Sequence, residues 1–434
     1  MDNILIGAIG VAVLVILFLL RMPVAFAMAF VGLIGFSIVV TPAAGMNLLA
    51  RDFFDIFSSY SLTVIPMFTL MGCIASESGM SRRLYDAGYV LFSRFPGGLA
   101  LATVMGCAGF AAINGSTSAT AAAMGKVCIP EMKRYKYDDS LATGIVAAAG
   151  TLGIMIPPST IFIVYGILTE QSIGKLFMAG VFPGLLIAAL LMAAVAIICK
   201  FNPKLAPAGE PSTFKEKMEA LTGIIEMLFL FCFVILGLFF GWFSPTQAGA
   251  AGVAGAIIIG LITRQLTWAG FVNALKDTVR ITCMVMLIVA GATVFGHFIA
   301  ITTIPMMLTE WVGALPLPPV AIMGIIIIIY IFGGCFMDSL ALITLTIPIF
   351  YPVVLALGFD PIWFGVIIVL VTEIGVITPP VGLNVYVIKG IAPDIPLETI
   401  FKGITPFLAA LIVAAVILLA FPQIATFLPS LAKY

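Results

Sequence analysis

Gly153-Ile-Met-Ile-Pro157-Pro158 returns as Gly375-Val-Ile-Thr-Pro379-Pro380, 222 residues further along the chain. The same displacement carries Pro96 onto Pro318 and Pro130 onto Pro352. Glycine loosens the backbone and proline removes an N–H donor, so each half holds an apolar segment interrupted at the same place. Matched Gly/Pro interruptions in the two halves of a membrane protein point to a transporter binding site.

Composition supports the membrane premise. Hydrophobic residues make up 62% of the 434 and charged ones 9%, whereas a soluble domain has about 25% charged residues. Charge-free runs such as Ile4–Leu20, Met227–Phe243 and Phe407–Phe421 approach the roughly 20 residues that span a bilayer. A net charge of zero speaks against a nucleic-acid partner. The seven cysteines form no CxxC pair or metal-ligand spacing, so they read as small buried apolar residues, with no transition-metal site. Met1-Asp2-Asn3 lacks a positive leader, so the first apolar run reads as a retained helix.

Positive charges order the path. Lys and Arg follow the first span (Arg21), the third (Arg82, Arg83, Arg94), a polar turn (Lys126, Lys133, Arg134, Lys136) and a central loop (Lys200, Lys204, Lys215, Lys217), and none occurs from Ile281 through Ile388. Positive loops stay cytoplasmic, so the N-terminus is expected outside and the loops around Glu310 and Asp360 on that same side. Spans are expected near 4–20, 22–41 and 60–77, then a re-entrant hairpin over 97–127 whose limbs each cross about half the bilayer, then spans near 141–168 and 174–199. The second half is expected to invert this. It has spans near 221–241, 246–263 and 281–300, a hairpin with its tip near Gly334–Ser339, a broken span near 362–390 and a last span near 403–421. The fold class is thus an all-α polytopic membrane protein of two inverted repeats, five spans each. The expected divisions are 1–80 (scaffold), 81–199 (arm, first hairpin, broken helix and following span), 200–220 (cytoplasmic loop), 221–300 (scaffold) and 301–434 (second hairpin, broken helix and last span). Ser81–Phe95 and Trp268–Arg280 read as short interface-lying arms.

Non-helical backbone at membrane depth is tolerated where protein buries it or where it lines a polar cavity. Half-helix ends at such breaks offer free N–H groups to anions and free carbonyls to cations. One cation site is expected where Asn114, Ser116, Thr117 and Ser118 face Gly153–Pro158, and a second where Asp338 and Ser339 face Gly375–Pro380 with Gly382 and Asn384. Hydroxyls and Gly/Pro pairs also serve as mere helix glue and kinks, and only the paired constellation argues for a site. Asp338 and Glu373 are ionisable residues in apolar stretches, which marks function by default. Asp338 reads as cation ligand or hairpin-tip cap. Glu373 reads as a structural acceptor for the loop's N–H groups. His297 has no acidic sequence neighbour and reads as packed, while Trp242, Trp311 and Trp363 read as interfacial anchors.

The segments Asn114-Gly-Ser-Thr-Ser-Ala-Thr, Gly153-Ile-Met-Ile-Pro-Pro-Ser, Phe336-Met-Asp-Ser-Leu-Ala and Thr372-Glu-Ile-Gly-Val-Ile-Thr-Pro-Pro-Val-Gly-Leu-Asn together resemble the large membrane (M) subunit of TRAP transporters, the tripartite ATP-independent periplasmic family. The resemblance runs nearly end to end, with Asn114 where Ser is frequent. It implies an elevator-type importer of the bacterial inner membrane, coupled to Na+ without ATP or an organic cofactor. It implies as partners a soluble periplasmic binding protein that delivers a small organic anion (C4-dicarboxylate, sugar acid or sulfonate) and a small membrane (Q) subunit. Because the chain opens directly on the first span, that subunit is expected as a separate polypeptide. Carried over by motif, Na+ ligands fall among Ser116, Thr117, Gly153 and Pro157 and among Gly334, Asp338, Gly375 and Thr378, with Asn114 and Pro379 beside them. The anion would lie between the tips, near Ser118, Ser159, Ser339, Gly382 and Asn384.

A self-sufficient Na+/dicarboxylate carrier of related fold is the neighbouring alternative, and a channel is a more distant one. An enzyme is disfavoured by the lack of a metal cluster, Ser-His pairing or phosphate loop.

Overall fold

The computed structural model describes residues 3–20, 22–207 and 212–432. Arg21, the first of the topology-setting charges, lies outside them, as does part of the 200–220 loop. The first half consists of α1 (Asn3–Leu19), α2 (Val24–Val39), α3 (Pro42–Ser58), α4 (Val64–Glu77), α5 (Met80–Phe92), α6 (Gly98–Asn114), α7 (Thr117–Arg134), α8 (Asp139–Gly150), α9 (Leu152–Met155), α10 (Thr160–Leu168) and α11 (Ile173–Phe201). The second half consists of α12 (Phe214–Phe239), α13 (Pro245–Ile262), α14 (Trp268–Ile301), α15 (Ile304–Ala314), α16 (Pro319–Gly334), α17 (Ser339–Ala356), α18 (Pro361–Val376), α19 (Leu383–Ile391), α20 (Leu397–Ala420) and α21 (Gln423–Leu431).

The 222-residue displacement extends to the elements themselves. α7 starts at Thr117 and α17 at Ser339, capped by Ser116 and Asp338. α8 starts at Asp139 and α18 at Pro361, capped by Asp138 and Asp360. The cis peptides Pro157–Pro158 and Pro379–Pro380 share the offset. By the same displacement α3 and α4 fall on α14, and α5 falls on α15.

Helix starts are satisfied locally, as an apolar medium demands. Thr213 with Glu216 and Ser244 with Gln247 close capping boxes on α12 and α13. Two groups of helices result. α1–α4 and α12–α14 form a wall, and its most extensive interface is α2 on α14. A Cβ on Gly291 would stand 2.4 Å from the Ala25 carbonyl oxygen, so only glycine permits that crossing. α6–α11 and α16–α21 pack into a second group around α8, α11, α18 and α20, with α5 and α15 between the two groups. Arg83 on α5 pairs with Glu226 on α12 at 2.7 Å.

Among the described residues, six helices are long and apolar enough to cross a membrane, or eight if each of two bent pairs is one span. The expected break near 141–168 is one of those pairs, α8–α9 against α10, bent by 42°.

The structure corrects several expectations. The first hairpin runs to Arg134 rather than 127, and its limbs have 17 and 18 residues. At 1.5 Å per residue that is about 26 Å each, so the limbs are not half-length. The re-entrant reading rests instead on where the tip sits, against a mid-span break. Trp268–Arg280 is not a separate arm, because α14 continues unbroken for 34 residues; its polar residues occupy one side of a helix that nothing interrupts. α3 was not foreseen: Arg51 and Asp55, an i,i+4 pair at 3.5 Å, belong to a helix between two expected spans. His297 Nδ1 lies 2.8 Å from Asp52 Oδ2 on α3, an acidic neighbour invisible in sequence. Trp242 and Trp311 are exposed, but Trp363 is buried and donates its indole N–H to the Leu418 carbonyl at 2.9 Å. Cys283 is exposed, and all seven cysteines are free thiols.

Candidate functional site

Each hairpin tip is joined to the break of its own half through glycine. At the first tip the chain turns at Gly115, with φ of +63°, and a Cβ there would come within 2.6 Å of the Pro158 carbonyl oxygen. A Cβ on Gly153 would stand 2.5 Å from the Ser116 oxygen. Thr160 Oγ1 donates to the Gly115 carbonyl at 2.9 Å, and Thr120 Oγ1 to that of Ser116 at 2.7 Å. At the second tip, Gly334 and Gly375 meet backbone to backbone: a Cβ on Gly375 would lie 2.7 Å from Gly334 Cα. The Gly382 N–H donates to the Cys335 carbonyl at 3.3 Å.

Glu373 joins the two tips to one another. It is 1% exposed. Thr117 Oγ1, at the start of α7, donates to its Oε2 at 2.9 Å, and Ser339 Oγ, at the start of α17, donates to its Oε1 at 2.7 Å. The expectation that Glu373 would accept loop N–H groups is therefore replaced. Two hydroxyls, one from each half, satisfy it, and both sit at helix N-termini where the peptide dipoles favour negative charge. Asp338 acts as the α17 cap, accepting the Leu340 N–H at 3.1 Å, while its side chain opens to the adjoining cavity.

That cavity, about 560 Å³, lies between the two tips and the wall, within the size range of small-ligand sites. The tips contribute Asn114, Ser116, Thr117, Ser118, Asp338 and Ser339; the wall contributes α2 and α14 side chains such as Phe26, Met284 and Ile288, with Thr69 from α4. Among the described residues, no Lys, Arg or His lines it. Four helices, α2, α7, α10 and α17, present their first residues to it, and α6 and α18 end in residues that line it, Asn114 and Val376. Free N–H groups and free carbonyls are thus concentrated at one place, a chemistry that holds anions and hard cations without basic side chains.

The sequence-selected residues divide into two sets. Asn114, Ser116, Thr117, Ser118, Asp338 and Ser339 line the cavity. Gly153, Gly334 and Gly375 form the tip-to-break contacts behind it. Ser159 is fully buried and caps α10, and Pro157, Pro379 and Thr378 belong to the breaks, with Thr378 Oγ1 returned to the Ile374 carbonyl. Gly382 turns with φ of +64° to start α19. Asn384 is fully buried, donating to the Ala147 carbonyl at 3.3 Å while its Oδ1 has no partner. Thr160 and the α14 wall were not foreseen. Thr160 had a signal, since it follows the Pro pair and Ser159; the wall had none, being apolar residues among apolar residues.

Comparison with known proteins places this arrangement. The family profile of the tripartite ATP-independent periplasmic transporter DctM component matches residues 11–424. The C4-dicarboxylate TRAP transporter large permease DctM of Pseudomonas aeruginosa is 37% identical, covering 88% of this chain and 89% of its own. The sialic acid TRAP transporter large permease SiaM of Vibrio cholerae is 34% identical over 94% and 95%, and the ectoine large permease TeaC of Halomonas elongata 32% over 98% and 99%. These relatives are named as transport permeases. Two solved structures share the fold: the YdaH transporter of Alcanivorax borkumensis (TM-score 0.63, 16% identity, 90% of this chain and 91% of that one) and MtrF of Neisseria gonorrhoeae (TM-score 0.58, 17% identity, 89% and 85%). With a family match across nearly its whole length and large permeases as its relatives, this multi-pass membrane protein belongs to the DctM component family of tripartite ATP-independent periplasmic transporters.

Proposed function

We propose that this chain is the large membrane subunit of a Na+-coupled importer of a small organic acid, which it receives from a soluble periplasmic binding protein. The observation that carries this reading is the cavity between the two tips. Its polar side consists of hydroxyls and one carboxylate at the N-termini of α7, α10 and α17, with the Asn114 amide at the end of α6 and Thr69 on α4, and among the described residues no basic one lines it. A carboxylate there would be held by N–H groups and by Na+ bound at the neighbouring carbonyls and hydroxyls. Asp338 gives the cations a fixed countercharge. The first ion draws on the Asn114–Ser118 tip and the Gly153–Pro158 break, and the second on Gly334, Asp338 and the Gly375–Pro379 break.

The 222-residue recurrence of caps, breaks and hairpins supports an inverted repeat of five spans in each half, with the N-terminus periplasmic in the inner membrane. The two helix groups, joined through α5 and α15, support an elevator in which the hairpin group slides along the α2–α4–α14 wall. A small membrane subunit, expected as a separate chain, docks on that wall. The relatives' names span dicarboxylates, sialic acid, isethionate and ectoine, so the class proposed here is a small organic anion, whether carboxylate, sugar acid or sulfonate.

The test is uptake of radiolabelled organic acids into proteoliposomes that hold this chain and the small subunit. Na+ gradient and binding protein are each supplied or omitted. Uptake that needs both is the expected result. Uptake without the binding protein would instead make the chain a self-sufficient carrier, and uptake indifferent to Na+ would overturn the coupling.

A further inference from the structure

Thr117 and Ser339 occupy equivalent places in the two halves: each is the first residue of its hairpin's second limb, and each lines the cavity. Their hydroxyls converge on one buried carboxylate, at 2.9 Å and 2.7 Å. Among the described residues, Glu373 takes part in no ion pair, so the two hydroxyls rather than a basic side chain are its partners. A hydroxyl has one proton. Spending it on Glu373 fixes the rotor and leaves the oxygen lone pairs as acceptors for a ligand. A cation drawing on either oxygen polarises its O–H and strengthens the bond to Glu373. Because the same carboxylate holds the other hydroxyl, ordering one tip orders the other.

We infer that Glu373 is a positioning residue that couples cation binding at the first hairpin tip to cation binding at the second. The inference rests on the Na+ reading above and adds to it a physical link between the two sites. Glu373 itself needs no contact with the ion; it acts through Thr117 and Ser339, as outer-shell carboxylates do at metal sites.

The test is equilibrium binding of ²²Na+ to the full chain in lipid nanodiscs, with choline as balancing cation. Wild-type protein is expected to bind cooperatively, with a Hill coefficient approaching about 2 for two coupled sites, and Glu373→Gln to bind with a coefficient of about 1. Cooperativity retained in Glu373→Gln, or absent from the wild type, overturns the coupling and leaves Na+ binding standing. No saturable ²²Na+ binding by the wild type overturns the Na+ reading itself and the coupling with it. Thr117→Val, Ser339→Ala and their double variant supply a second measurement should Glu373→Gln fail to fold. If Glu373 ties the tips, either single change lowers the Hill coefficient to about 1 and the double variant lowers it no further. A coefficient that stays at about 2 in either single variant overturns the inference.

Discussion

Gly375→Ala is the most direct probe of how the second tip is held. A Cβ at Gly375 would stand 2.5 Å from the Ile331 carbonyl oxygen and 2.7 Å from Gly334 Cα, where ordinary contact begins at 3.4 Å. The shortfall is about 0.9 Å against backbone atoms, which cannot rotate aside as a side chain can. The last turn of α16 must lift by about that distance and take the tip with it. Overpacking of this kind costs about 1–3 kcal/mol of stability, and a misplacement of about 1 Å in a binding constellation costs on the order of 100-fold in rate. Gly324 on the same helix is the control, since a Cβ there meets nothing within 4 Å and Gly324→Ala gains up to about 1 kcal/mol of helix propensity. The assay pairs thermal unfolding with Na+-driven uptake in proteoliposomes. The expected outcome is a folded but nearly inactive Gly375→Ala beside an active Gly324→Ala. Wild-type uptake by Gly375→Ala would refute the claim that the tip must sit directly on the break.

Asp338→Asn keeps an N-cap of equal rank and removes the charge, so melting should be unchanged while Na+-driven uptake is lost; normal uptake would leave Asp338 as a cap alone. His297→Ala leaves the buried Asp52 carboxylate without that partner and should cost about 1–3 kcal/mol, while adding Asp52→Ala should recover part of the loss in a thermal double-mutant cycle. Lys133 hydrogen-bonds Asp394 at the surface and holds its carboxyl below the ordinary value of 3.8. Stability gained from that pair is therefore present above pH 3.8 and lost as the pH falls through the lowered value. Wild type and Lys133→Met should differ in melting temperature at neutral pH and converge in strong acid.

The breaks and tips were legible because glycine and proline act on the backbone directly, and the same residue type at the same offset leaves a mark in sequence. The arms were less legible. In Pro42–Ser58 the charges Arg51, Asp52 and Asp55 sit among phenylalanines and read as a loop between spans, although Thr41-Pro42 supplies a helix start, with Thr41 capping the Ala44 N–H. The charged stretch Lys276–Arg280 looked like the end of an element, yet α14 runs through it, since Lys and Arg are good helix formers. The partnerships that organise the site could not be read at all. Glu373 meets Thr117 across 256 residues and Asp52 meets His297 across 245, and such contacts exist only once the two halves are packed. Trp363 shows the same limit from the other side: an end-of-helix tryptophan suggests a lipid anchor, but a carbonyl on α20 claims its N–H.

The two counterparts of the wall helix differ in stiffness. In the second half α14 is a single rod of 34 residues. In the first half the corresponding stretch is cut into α3, one 3₁₀ turn at Tyr60–Thr63, and α4. A continuous helix resists bending along its whole length, whereas a change of direction concentrates in the few residues between elements. In the proposed elevator, strain from displacing the hairpin group against the wall would therefore find its outlet at Ser59–Thr63. Under that motion one side of the molecule would work as a strut and the other as a jointed limb, so two halves built on one plan would respond unequally to the same force.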